Sequence, residues 1–140
     1  MCPDPASQQK PEVTENNKPK TSGLSPSAAV IVYSTYPNAG EAEAMGTALV
    51  ELGLVACANI LAPMTAIYRW KGQRHRDNEV PMLMKTRASL VEQVIAEVKK
   101  RHSFETPAIL VLPVVAGSPE FLQWIMIQTD GAKGASDNAG

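Results

Sequence analysis

The chain has 140 residues, 13 Lys and Arg against 14 Asp and Glu, a net charge of −1 and 44% hydrophobic residues. That length suits one domain, and the apolar content excludes wholesale disorder. Balanced charge excludes a protein built around a nucleic-acid field, and no apolar run reaches the roughly 18 residues that span a bilayer. The two cysteines, Cys2 and Cys57, cannot make a disulfide framework or a zinc finger, which fits a reducing compartment. Residues 2–27 carry no apolar signal region, so a cytoplasmic setting is expected.

Residues 1–27 are rich in Pro, Ser, Asn, Lys and Gln and read as a disordered tail, and residues 129–140 have the same character. The folded unit is then 28–128, small enough for oligomerisation to help its stability. In chain order, 28–36 (AAVIVYSTY) is a short buried strand. Asn38 and Glu41 have capping-box spacing, Ala42, Met45, Leu49 and Leu52 recur at helical spacing, and Gly53 closes that helix. A strand over 54–61 follows, with Ala62-Pro63 as a kink.

Over 64–71, Met64, Ala66, Tyr68 and Trp70 share one strand face. Gly72-Gln73 reads as a hairpin turn, and the return strand covers 74–86. A helix over 88–101 has Ser89 and Glu92 as its cap and Val91, Val94, Ile95 and Val98 as its buried stripe. Residues 108–115 form a last strand, which Pro113 marks as an edge or a break. Ser118-Pro119-Glu120 starts a final helix with Phe121, Trp124 and Ile125 on its apolar face.

The order β-α-β-β-α-β plus a C-terminal helix defines an α+β, ferredoxin-like split-βαβ fold, an antiparallel sheet with two helices on one face. The hairpin over 54–86 is longer than such a sheet needs, and its unpaired edges call for a partner, so it is expected to pair between subunits.

No phosphate-binding glycine loop, nucleophile elbow, HExxH or CxxC occurs. Cys57 suits a core position or, as a thiolate beside a second ligand, a soft cation such as Cu(I). His102 follows Lys99-Lys100-Arg101, where it either complements the helix C-terminus or serves as a metal ligand or proton acceptor. His75 reads as solvated, and Met64, Met82 and Met84 as ordinary strand packing. Tyr68 and Trp70 suit packing against core or subunit, or stacking on a ligand. Lys85 ends an apolar run, either at a solvated strand end or in a cleft. No nucleophile–base pair is legible, so a hydrolase or transferase ranks last.

Four segments in this order, Val55–Ile60, Ile67–Gly72, Met84-Lys85-Thr86 and His102–Pro107, together with Phe121-Leu122-Gln123-Trp124, resemble the CutA family of divalent-cation tolerance proteins. The resemblance spans about 30–127. It implies a homotrimer with hairpins paired between subunits and a role in tolerance and binding of copper or another divalent cation. It implies no established enzymatic reaction; no organic cofactor is expected, and the charge balance and short apolar runs leave neither nucleic acid nor membrane as an expected partner. His102, Cys57 and Glu105 are then the metal candidates, and Tyr68, Trp70 and Lys85 the pocket residues. Some copper-binding members have cysteine where Ser34 stands and histidine where Arg101 stands, so weaker copper binding is expected here. Phe104 replaces a tyrosine, and Pro81 within a strand implies a bulge or an edge. The alternative is a trimeric small-molecule sensor resembling the nitrogen-regulatory PII proteins, an analogy of fold alone.

Overall fold

The structure, a computed structural model, describes Thr21 and residues 23–132. The expected tails lie mostly outside these residues. At the described ends, Leu24 packs beside Val30, Ala88 and Val91, and Thr129 is buried.

The elements are β1 (Ala29–Tyr36), α1 (Ala39–Glu51), β2 (Cys57–Ile60), β3 (Met64–Trp70), β4 (Gln73–Arg87), α2 (Val91–Arg101, entered through a 3₁₀ turn at Ala88–Leu90), β5 (Ile109–Pro113) and α3 (Pro119–Gln128). The sheet order is β2-β4-β1-β5, all pairs antiparallel, as the ferredoxin-like reading expects. β5 is an edge strand, and Pro113 stands at its last position. β4 is 15 residues long. Its second half, Val80–Arg87, pairs with β1, whereas Gln73–Glu79 pairs with β3 alone. That ribbon reaches about 20 Å beyond the sheet at the usual strand rise.

The core lies between the sheet and two helices. Val32, Met82 and Met84 face Met45 and Leu49 of α1 and Val94 and Val98 of α2. Each such side chain contributes about 2 kcal/mol by burial. At Gly46 a Cβ would sit 3.0 Å from the Ala58 Cβ, so a side-chain-free residue lets α1 lie close on β2. Lys85 and Arg87 alternate with Met84 and Thr86 and so point from the opposite face, where they meet α3. Arg87 donates to the Thr129 hydroxyl at 3.0 Å and to the Met126 carbonyl, fastening the C-terminus of α3 to the sheet.

Several local expectations are corrected. The second strand starts at Cys57 rather than 54, because Gly53 (φ 73) ends α1 in a Schellman turn. There Gly53 N–H reaches Val50 O and Leu54 N–H reaches Leu49 O, both at 3.0 Å, which folds Leu54 into the core. The hairpin turn is Lys71-Gly72 rather than Gly72-Gln73. Positive φ at both residues (51 and 74) gives the type I′ geometry that matches strand twist.

Asn38 accepts from Glu41 N–H at 2.8 Å, but the Glu41 carboxylate binds Ser103 instead of completing the box. Ser89 is not a cap: its position falls in the 3₁₀ turn, and its N–H bonds Pro26 O. Of the three apolar residues expected on the final helix, only Ile125 is buried, and Phe121 and Trp124 stack on each other at 5.5 Å in the open. Pro81 does mark the expected bulge: between the pairs Ile60–Met82 and Met64–Glu79, three residues (61–63) stand opposite Val80 and Pro81, and Pro81 O accepts from Leu61 N–H at 3.0 Å while its ring nitrogen can return no ladder bond.

Candidate functional site

His102 stands at the C-terminal end of α2, where the backbone turns extended (φ −75, ψ 144). Its side chain is fully enclosed, stacked on Tyr36 at 4.7 Å and tilted against Phe104 at 5.1 Å. Phe104 N–H donates to Nδ1 at 3.0 Å. That makes Nδ1 an acceptor, so Nε2 carries the proton and donates to Thr35 O at 2.8 Å. Glu41 Oε2 lies 3.7 Å from Nδ1 while the same carboxylate takes the N–H and hydroxyl of Ser103, each at 3.0 Å. His102 therefore ties the 103–108 loop to β1. Below it, the buried hydroxyls of Ser34 and Tyr36 meet at 2.8 Å. Burial pushes the Tyr36 phenol up to about 12, against a smaller lowering by the Ser34 bond and a further rise from Glu41.

The loop that His102 holds forms one wall of a cavity of about 160 Å³. Phe104, Thr106 and Ala108 face Thr35 of β1, Ala66 and Tyr68 of β3, and Glu79 of β4 across it. Tyr68 is held by its hydroxyl, which donates to Asp77 Oδ2 at 2.6 Å, and by stacking on His75 at 5.5 Å. The cavity is thus mostly apolar with one carboxylate, suited to a small ligand with a single cationic or donor group.

Cys57 and Lys85 are direct cross-strand neighbours on the α3 side of the sheet. Lys85 Nζ donates to Asn59 Oδ1 at 2.5 Å and lies 5.9 Å from the centre of the Phe121 ring. Cys57 is half-buried and unbonded to any other sulfur.

These placements separate the expected site into three. Tyr68 lines the cavity, and His102 lies behind its wall, against Phe104 and Thr35. Cys57 and Lys85 sit four to five residues along the sheet from Thr35 and Tyr36, roughly 15 Å by strand rise, and ten positions along β4 from His75, the partner of Tyr68. Trp70 pairs with Gln73 at the tip of the ribbon, twelve positions from Lys85 along β4. Glu105 is exposed in the loop. His102, Cys57 and Glu105 therefore do not converge, and among the described residues no three His, Cys, Asp or Glu side chains could hold one metal ion. Both imidazole nitrogens are committed to the backbone, so the donor set of one chain does not fit a copper centre built on His102. Thr35, Glu79, Phe104 and Thr106 line the cavity without having been singled out as pocket residues. The only signal for them was their position at strand ends and in the loop after His102.

Comparison with known proteins places this architecture. Residues 30–128 match the family described as "CutA1 divalent ion tolerance protein". The mouse protein CutA is 38% identical over 104 residues, 74% of this chain and 59% of its own. The human protein CutA is 37% identical over 109 residues, 78% of this chain and 61% of its own. The match thus spans about three fifths of these two relatives. A Salmonella divalent-cation tolerance protein CutA is 34% identical over 76% of this chain and 92% of its own length. Among solved structures, Oryza sativa CutA1 superposes with a TM-score of 0.73 at 28% identity over 75% of this chain and 96% of that one. The Archaeoglobus fulgidus divalent cation tolerance protein CutA gives 0.71 at 36% identity over 73% and 99%. The chain belongs to the CutA1 divalent ion tolerance family.

Proposed function

We propose that this protein acts in divalent-cation tolerance, copper included, as a homotrimer in which the β3–β4 ribbon of each copy docks on the next. The observation that carries this reading is the ribbon itself. Among the described residues, Gln73–Glu79 has β3 on one side and no strand on the other. A lone two-stranded ribbon is marginal in water, and open strand edges are normally covered. The uncovered sheet face beside it offers Leu110 and Leu112, with Phe121 and Trp124 at its border, an apolar surface that a second copy buries. Assembly also supplies what one chain lacks. Cys57 and Lys85 of one copy can meet the tip of another, and a cation can draw donors such as Cys57 and Glu105 from different copies. His102 acts in this reading as the residue that positions the loop.

The expected native mass by light scattering is that of three chains, and a monomer at micromolar concentration refutes the assembly. Calorimetric titration with copper is expected to show binding that weakens in Cys57→Ser. An intact trimer that binds no divalent cation refutes the metal reading. The cavity beside Tyr68 favours a second reading, a trimeric small-molecule sensor. Thermal shifts against a metabolite panel separate the two, since only ligands of the folded state raise its melting temperature.

A further inference from the structure

The face of the ribbon opposite the Tyr68 cavity has a composition that the core does not require. Cross-strand register puts Thr65 with Asn78, Ile67 with Arg76, and Arg69 with Arg74. Paired residues share a face, so these six side chains form one surface, with three guanidiniums and no carboxylate. All six are exposed, Ile67 at 66%. The acidic residues of the same stretch, Asp77 and Glu79, belong to the other face, where Asp77 holds the Tyr68 hydroxyl and Glu79 lines the cavity. Among the described residues, Arg69 donates to a backbone carbonyl, that of Gly72 at 3.3 Å.

Like charges directly opposite each other on a two-stranded ribbon are destabilising, so the Arg69–Arg74 pair works against the fold that presents it. Arginine rather than lysine at all three positions favours bidentate capture of carboxylates. The geometry repeats that preference. Carboxylates on alternate residues of an extended strand recur about every 7 Å, close to the separation of Arg74 from Arg76 along β4. Ile67 among them accepts an apolar side chain.

We infer that this arginine face docks an acidic, extended segment of a partner protein, one with Asp or Glu at alternate positions. The inference stands independently of the cation reading.

The test is fluorescence anisotropy of the full-length protein with a labelled twelve-residue peptide alternating Glu and Val. A peptide with Lys in place of Glu and vesicles of phosphatidylserine serve as comparisons. The expected result is binding of the Glu peptide that weakens as salt rises, with none of the Lys peptide. Arg74→Gln with Arg76→Gln is expected to weaken it by roughly a hundredfold, about tenfold for each charged hydrogen-bonding group removed. Lys99→Gln on α2 is expected to leave it unchanged. Light scattering on each variant reports assembly separately, so loss of the trimer and loss of peptide binding are distinguishable. Equal affinity in the double variant, failure to bind the Glu peptide, or binding to vesicles in preference to the peptide each overturns the inference.

Discussion

Replacing His102 by alanine separates a loop-positioning role from a metal-ligand role. The substitution removes an enclosed ring packed between Tyr36 at 4.7 Å and Phe104 at 5.1 Å. It also strips partners from Thr35 O and Phe104 N–H, which the imidazole now satisfies at 2.8 and 3.0 Å. Aromatic-to-alanine truncations in cores cost about 3–5 kcal/mol. Each of the two buried polar groups left unpaired costs about 1–3 kcal/mol more, which brings the total to about 5 kcal/mol or above. The assay is urea unfolding at fixed protein concentration, with copper titration of the same samples. The expected outcome is a large drop in the unfolding midpoint and faster amide exchange over 103–108, with any copper binding of the folded fraction retained. His102→Gln, whose amide can still reach one backbone partner, is expected to fall between the two. An unchanged midpoint with copper binding abolished would refute the reasoning and make His102 a ligand.

Alkaline stability should follow Tyr36. Its folded-state pKa is raised from 10.0 to about 12, so between these values the unfolded chain releases a proton that the folded one keeps. Stability is therefore fully present below pH 10 and lost as pH rises towards 12, by about 2–3 kcal/mol. Tyr36→Phe combined with Ser34→Ala, which removes both partners of the buried hydroxyl pair, should flatten that decline in denaturation midpoints measured from pH 9 to 11.5. Gly72→Ala forces a side chain to φ 74 and should destabilise the ribbon by about 1–2 kcal/mol, whereas Lys71→Asn should be tolerated at φ 51, as thermal unfolding can check. Arg87→Ala should free the end of α3, seen as a rise in hydrogen exchange over 126–129 while β1 and β4 remain protected.

Much of the fold was legible because its signals are local. Alternation in β3, the 3.6-residue stripe of α2 and the Ser118-Pro119 start of α3 each report a backbone period or a cap, and each element lies where its pattern placed it. The misplaced features are those in which two local signals compete. Glu41 had the spacing for a reciprocal cap, but Ser103, 62 positions away, offers two donors to the same carboxylate. Leu54 and Val55 have strand composition, yet the Schellman turn at Gly53 turns them into the core. Phe121 and Trp124 have helical core spacing, but α3 meets the sheet through Lys85 and Arg87 rather than an apolar layer, so both rings stay partly exposed.

The sequence by itself determined the split-βαβ order, the over-long hairpin and the family. These depend on residue types at fixed short spacings and on the order of motifs. The tertiary structure alone decided the state of the candidate ligands. His102 is identified by type as a ligand, but its lone pair is consumed by a loop that returns to β1, and that return is a long-range contact no periodicity encodes. Likewise Tyr68, Trp70 and Lys85 are near one another in motif order. The length of β4 separates Lys85 from the other two in space, because extended chain adds about 3.3 Å with every residue.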